Sequence, residues 1–264
     1  MDNVNKTLYI PLYGKAYVSK KGILLRDPDA ESIWDRAGIT LKGKAASKWL
    51  AYNMGIRSAV FDQWLRENLT SDAAVLHLGC GLDSRCRRVK CENQWYDVDF
   101  PAVIDERKRY FSESDRYHML GADLRSDWLK EIPAGGAAIV VMEGVSMYLT
   151  DEERLELLEK LTGHFGEVKL LLDAYTVFAA RATKYKNPIN EVGVTEVYGF
   201  DDPKALEQGT GMGFVKEHDL IPEAMISELP KAEQGFFRLM SAGKLAKGIY
   251  RLYEYRGVNS RKWD

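Results

Sequence analysis

Between Ala73 and Tyr175 the chain alternates at short intervals between apolar runs of strand length and segments that read as helices. AAVLHLG (73–79) ends in glycine. QWYDVDF (94–100) leads into PAVIDERKRYF (101–111), whose proline stands at a first-turn position, where a helix tolerates a missing N–H. YHMLGADL (117–124) is followed by SDWLKEI, and AAIVVMEG (137–144) is the most apolar strand candidate. TDEERLELLEKLTGHF (150–165) opens like a capping box, Thr150 followed three residues on by Glu153, and EVKLLLDAY (167–175) is a further strand. This alternation predicts a parallel, doubly wound α/β sheet, whose ligands lie in the crevice outside the carboxyl ends of the strands.

The flanks read differently. Residues 1–70 look mostly helical: DPDAESIW (27–34) carries acidic residues ahead of an apolar face, and residues 46–69 have Leu50, Met54, Ala59, Phe61 and Leu65 at roughly helical spacing. After 175, TKYKNPINEVGVTEVYGFDD reads as an irregular insertion, and GFVKEHDL (213–220) and GIYRLYEYRG (248–257) as two last strands with broken helix between them. With no clean linker, the expectation is one domain over 1–264. Residues 1–70 form a helical cap, 71–175 the ligand-binding core, and 176–264 the insertion and last strands on the substrate side.

The 264 residues are 45% hydrophobic, enough for a substantial core, and the charged 29% are of mixed sign. A net charge of −2 argues against a nucleic-acid partner, so RCRRVK (85–90) is read as the solvated face of a helix. Cys80, Cys86 and Cys91 show neither disulfide nor zinc spacing. His118, His164 and His218 have no ligand spacing, so no metal is expected, and His77 lies inside the first strand. No basic start precedes a long apolar stretch, and no run approaches the roughly 20 residues of a membrane span. The expectation is a cytoplasmic protein with no membrane partner.

The first strand runs into Gly79-Cys80-Gly81, where glycine permits a tight turn and a close ligand. Alone, that pattern equally marks a structural turn. Asp97 and Asp99 end the next strand, where a carboxylate can accept both hydroxyls of an adenosine ribose. Asp99, closer to the carboxyl end, is the favoured one. A pyrophosphate loop wants a third glycine at position 84, but Ser84 stands there, preceded by Asp83, which would repel phosphate. Asp83 reads as a helix cap and as the partner of a positive ligand group, and the two roles can hold together. S-adenosylmethionine carries an adenosine, an ammonium and a sulfonium and no phosphate. Asp123 and Leu124, after the third strand, suit an adenine amino group and ring. Glu143, closing the most apolar run, is a carboxylate that needs a partner.

GCGLDSR, YDVDFPAV, GADL and MEGVSMYL, in this order and spacing, resemble the leucine carboxyl methyltransferase family, and within it the bacterial tetracenomycin-type polyketide O-methyltransferases. TLYIPLYGKA, RDPDAE and NMGIRSAVFD add to the resemblance. It implies a class I S-adenosylmethionine-dependent methyltransferase: a Rossmann-like, seven-stranded, mostly parallel sheet with an antiparallel last hairpin. By motif it implies Gly79, Cys80 and Gly81 along the methionine part, with Asp83 beside them. Asp99 falls at the ribose, Asp123 and Leu124 at adenine, and Glu143 at the ammonium or the reacting centre. Arg57 matches an arginine that pairs with the cofactor's carboxylate. Gly55 replaces the family's preceding arginine, which leaves a second basic contact unassigned.

Methyl transfer from a sulfonium needs mainly orientation. A carboxylate acceptor needs no base, whereas a phenol benefits from one, for which Glu143, Tyr148 and Tyr13 are candidates. The expected activity is O-methylation of a small molecule, a polyketide-like or other secondary metabolite. Protein carboxyl methylation and cofactor binding without turnover are the alternatives within this fold, and a nicotinamide-dependent oxidoreductase is the alternative that Asp83 and Ser84 oppose.

Overall fold

The computed structural model describes residues 4–182, 197–243 and 248–259. Three helices come first: α1 (Val4–Lys20), α2 (Pro28–Ala37) and α3 (Lys48–Asn68). Asp27 caps α2 by accepting from the Ala30 N–H at 2.9 Å, Pro28 takes the first turn, and Gly38 ends the helix at φ 63°. α1 and α3 cross closely, because a β-carbon on Gly14 would stand 2.5 Å from Met54 Cβ, and one on Gly55 2.8 Å from Val18 Cγ2.

The alternating region then unfolds as expected: β1 (Ala74–Leu78), α4 (Arg85–Arg88), β2 (Trp95–Asp99), α5 (Pro101–Arg107), β3 (Tyr117–Gly121), β4 (Ala137–Met142), α6 (Asp151–His164) and β5 (Glu167–Tyr175). Both halves of the capping box at Thr150 and Glu153 are present. SDWLKEI gives only a short 3-10 turn at Trp128–Glu131. After α7 (Val177–Ala182) come β6 (Met212–His218), α8 (Glu223–Ile226), α9 (Lys231–Ser241) and β7 (Tyr250–Val258). Residues 183–196 of the expected insertion lie outside the described residues.

The seven strands form one sheet in the order β3-β2-β1-β4-β5-β7-β6. β1 to β5 pair in parallel, while β7 runs antiparallel to both β5 and β6. β6 therefore points the same way as β5, and His218 ends at the same edge as Tyr175. Apolar cores cover both faces, one under α6 with Leu157, Leu161 and Tyr253, the other under α3 with Phe61, Val141 and Leu252. Two-sided burial explains why these strands read as continuous apolar runs rather than as alternation. Among the described residues no helix is long and apolar enough to cross a membrane.

The basic run 85–90 departs from its reading. Arg85 is fully buried and the Arg88 side chain nearly so; Arg87 and Lys90 alone of its cations are exposed. α4 is a single turn, and two of its arginines point into the protein because α2 and α3 bring carboxylates to meet them.

Candidate active site

Leu78 is paired with Val98 on one side and Met142 on the other, so β1, β2 and β4 end level. Above those ends lies a cavity of about 990 Å³, with further walls from α1, α3, α9 and the ends of β6 and β7.

The glycine turn forms one wall. Gly79 has φ 66° and Gly81 φ 52°, both in the left-handed region. A β-carbon on Gly79 would stand 2.2 Å from Val145 Cγ2, so this glycine is required by contact as well as by conformation. The Gly81 N–H donates to Asp99 Oδ2 and the Phe100 N–H to Asp99 Oδ1, each at 2.8 Å. Those bonds fix the carboxylate at the cavity wall and leave lone pairs on both oxygens. Burial raises the Asp99 pKa, and the two backbone donors pull it back. Asp97 turns the other way, fully buried among Trp95, Tyr117, His77 and Arg107.

His77 links that cluster to the cavity. Arg85 Nη1 lies 3.1 Å from His77 Nε2, and His77 Nδ1 lies 3.1 Å from Asp97 Oδ1. An arginine can only donate, so Nε2 accepts and the imidazole proton sits on Nδ1, facing Asp97.

A network of buried charges forms the floor. Arg85 Nε donates to Asp62 at 2.7 Å, and its Nη2 reaches Glu143. Arg88 bonds Asp62, Asp27 and Asp83 at 2.6, 2.6 and 2.9 Å. Lys15 of α1, nearly buried, donates to Asp83 at 3.2 Å. Arg57 donates to Glu143 at 3.0 Å and to the Tyr250 hydroxyl at 3.1 Å, and lies 3.4 Å from Asp173. Burial opposes the charge on Asp83, but Arg88, Lys15 and Arg85 hold its pKa well below the usual carboxylate range. Burial likewise opposes Glu143, which Arg85 and Arg57 hold at about 2.

Apolar and aromatic side chains complete the lining: Met54, Tyr148, Tyr175, Met240, Ile249 and Tyr250. Tyr175 and Tyr250 meet edge to face at 5.0 Å. His218, its Nε2 2.7 Å from Glu254 Oε2, stands at the rim.

The sequence profile of leucine carboxyl methyltransferase matches residues 13–162, more than half of the chain. The chain belongs to the leucine carboxyl methyltransferase family. It is 29% identical over 263 residues to the tetracenomycin polyketide synthesis O-methyltransferase TcmP of Streptomyces glaucescens, covering 97% of each chain. It is 28% identical to the S-adenosyl-L-methionine-dependent methyltransferase dpfgK of Gibberella zeae, covering 84% of this chain and 77% of that one. In fold it is similar to an S-adenosylmethionine-dependent methyltransferase of Mesorhizobium loti, with a TM-score of 0.51 at 15% identity, covering 74% and 96% of the two chains. Geranyl diphosphate C-methyltransferase of Streptomyces coelicolor, solved with S-adenosyl-L-homocysteine, gives a TM-score of 0.50 at 13% identity over 85% and 86%. The chain is thus an S-adenosylmethionine-dependent methyltransferase with the class I fold.

Within this leucine carboxyl methyltransferase fold, Arg57, Gly79, Cys80, Gly81, Asp83, Asp99, Asp123, Leu124, Glu143 and Tyr148 all reach the one cavity. Their states differ from expectation at several points. Asp83 is already neutralised by three cations and does not cap α4, whose N-cap is Ser84. Glu143, ionised down to about 2 between two arginines, is unsuited to take up a proton. Tyr13 is absent from the cavity wall; its hydroxyl donates to Ala46 O at 3.3 Å and its ring packs on Trp34. Asp123 is bound by Arg125 at 2.8 and 2.6 Å, which lowers its pKa, and Leu124 is buried beside it.

Three wall or floor residues escaped the sequence reading. Lys15 sits within TLYIPLYGKA, and it brings to the site a second cation that Gly55 cannot supply. Asp173 is a carboxylate after an apolar run, within the last three residues of β5, so a signal like that of Glu143 marks it. Tyr250 carries no local signal; only the antiparallel pairing of β7 with β5 brings it to Tyr175.

Among the described residues no cluster of His, Cys, Asp and Glu could hold a metal ion.

Proposed function

We propose that this methyltransferase moves the methyl group of S-adenosylmethionine to an oxygen of a small molecule, a hydroxyl or carboxylate of a polyketide-like or other secondary metabolite. The observation that carries this reading is the mixed lining of the cavity: Asp99 and paired charges together with the aromatic and methionine side chains of Tyr148, Tyr175, Tyr250, Met54 and Met240. The names of the two relatives, a polyketide O-methyltransferase and an S-adenosyl-L-methionine-dependent methyltransferase, agree with it.

The donor set fits the cofactor. Asp99 would take the ribose hydroxyls, Leu124 and Asp123 would face adenine, and the backbone of Gly79, Cys80 and Gly81 would follow the methionine part. Arg57 and Lys15 would meet its carboxylate, and Glu143 its ammonium. Asp83 acts one step back, holding Lys15, Arg85 and Arg88 in place. The bound cofactor supplies an activated methyl group; the protein orients the acceptor and excludes water. We read the whole chain as one domain with α1–α3 as its cap. A cytoplasmic setting agrees with the three free cysteines.

Calorimetric titration with S-adenosylmethionine and with NADH tests the cofactor assignment; binding of NADH alone would overturn it. Transfer of a labelled methyl group to 1-naphthol, 2-naphthoate and 1-hydroxy-2-naphthoate tests the acceptor class. Mild alkali then releases an ester methyl and leaves an ether methyl. Transfer to a peptide terminus in preference to every aromatic would favour the protein-directed reading. Cofactor binding with no transfer to any acceptor would favour a binding protein without turnover.

A further inference from the structure

Arg57 serves two carboxylates, and it serves them unequally. Glu143 receives a hydrogen bond at 3.0 Å, whereas Asp173 Oδ2 lies 3.4 Å from Arg57 Nη1 and receives none from it. Asp173 is fully buried, its Oδ1 held by the Gly144 N–H at 2.7 Å. The same Arg57 Nη1 donates to the Tyr250 hydroxyl at 3.1 Å. That hydroxyl therefore accepts from Arg57, and its own proton is directed to the Asp173 carboxylate. Tyr250 lines the cavity and Asp173 lies behind it.

The buried network is short of one cation. Asp27, Asp62, Asp83, Glu143 and Asp173 face Lys15, Arg57, Arg85 and Arg88. Arg66 approaches Asp62 only from the surface, at 3.9 Å. The carboxylate left with the poorest partner is Asp173. An unbalanced negative charge suits a cosubstrate whose ammonium, sulfonium and carboxylate sum to one positive charge. Once the methyl has left, the sulfur is neutral and the imbalance returns.

We propose that Asp173 receives, through the Tyr250 hydroxyl, the proton that a hydroxyl acceptor loses on methylation. This rests on the methyl-transfer reading above and narrows it to hydroxyl acceptors, since a carboxylate acceptor has no proton to give. The acceptor oxygen bonds the methyl carbon as the methyl–sulfur bond breaks, with that electron pair staying on sulfur. The acceptor proton passes to Tyr250 Oη while the tyrosine proton passes to Asp173 Oδ2. The protonated Asp173 then restores the charge balance that the methyl transfer removed.

The surroundings support this. Arg57 from α3, Glu143 from the end of β4 and Tyr250 from β7 face Asp173, with Tyr148 and Tyr175 at the cavity side. Burial pushes the Asp173 pKa up to about 6 against the pull of Arg57. Burial and Asp173 hold the Tyr250 hydroxyl well above its usual range, so it passes a proton on rather than ionising.

The test needs no acceptor. Calorimetry in buffers of different ionisation enthalpy reads the protons taken up when S-adenosylmethionine or S-adenosylhomocysteine binds. Near pH 7 the homocysteine product should draw in more protons than the methionine form, by up to about one per chain, and Asp173→Asn should abolish the difference. Equal uptake with both ligands bound would overturn the proposal and leave the cofactor assignment standing. Failure of S-adenosylmethionine to bind would overturn both. Independently of folding in that variant, the infrared difference between the two wild-type complexes should show the carbonyl stretch of a neutral carboxylic acid. Tyr250→Phe should move that band to higher frequency by removing a hydrogen bond. A missing band, or one that Tyr250→Phe leaves in place, would refute the relay.

Discussion

Gly55 of α3 rests against Val18 of α1 so closely that a β-carbon there would stand 2.8 Å from Val18 Cγ2. The contact sets how near α1 comes to α3, and hence where Lys15, three residues before Val18, enters the cavity. Restoring an arginine with Gly55→Arg should push the helices apart. The expected result is a loss of about 1–3 kcal/mol in chemical denaturation, typical of overpacking, with weaker binding of S-adenosylmethionine. A variant as stable as the parent would show that the helix crossing tolerates bulk.

Asp99 should carry much of the cofactor affinity. Hydrogen bonds to a charged group are worth about 1.5–3 kcal/mol, so Asp99→Ala should raise the calorimetric Kd by about 10- to 100-fold or more. Unchanged affinity would remove Asp99 from the site. Tyr13→Phe, in contrast, alters a hydroxyl bound to Ala46 O away from the cavity. It should leave both cofactor affinity and methyl transfer as they are.

The two loop glycines should differ. Gly79→Ala meets a left-handed backbone and Val145 together, whereas Gly81→Ala meets only Leu8 Cδ2, at 3.4 Å. The backbone alone costs about 1–2 kcal/mol in each. Gly79→Ala should therefore lower the melting temperature clearly more than Gly81→Ala, and equal losses would contradict the contact with Val145.

How much of this was legible in sequence depends on what carried the signal. The five parallel strands were legible because two-sided burial writes continuous apolar runs, and the place of Asp99 at the cavity wall because a carboxylate ends its strand next to the glycine turn. Arg85 and Arg88 misled because a basic run looks solvated until Asp62 and Asp27, from other helices, are brought to it. Tyr250 was illegible because it reaches the site only through the pairing of β7 with a strand some eighty residues earlier. Tyr13 shows the reverse: a polar aromatic near a motif that the turn of α1 directs elsewhere.

Opposed carboxylates should shape stability against pH. Glu143 is depressed from 4.5 to about 2, so its contribution is complete above 4.5 and is lost as pH falls through 2. Asp173 is raised from 3.8 to about 6, so its ionisation costs nothing below 3.8 and its full penalty above 6. Asp173→Asn should therefore gain on the parent between pH 4 and 7, by about 2–3 kcal/mol at most. Melting curves across that range check it, and a constant gap would contradict a raised Asp173.

The buried bonds from Arg85 and Arg88 to Asp62 and Asp27 have a practical consequence for anyone recombining such enzymes. The glycine turn and the N-terminal helices cannot be exchanged as independent modules. A chimera that takes the first seventy residues from one parent and the sheet from another inherits unmatched buried charges unless these positions travel together. Grafting a new specificity onto this scaffold is therefore safer at Met240 of α9 and at Ile249 just before β7, cavity residues that lie outside that electrostatic lock.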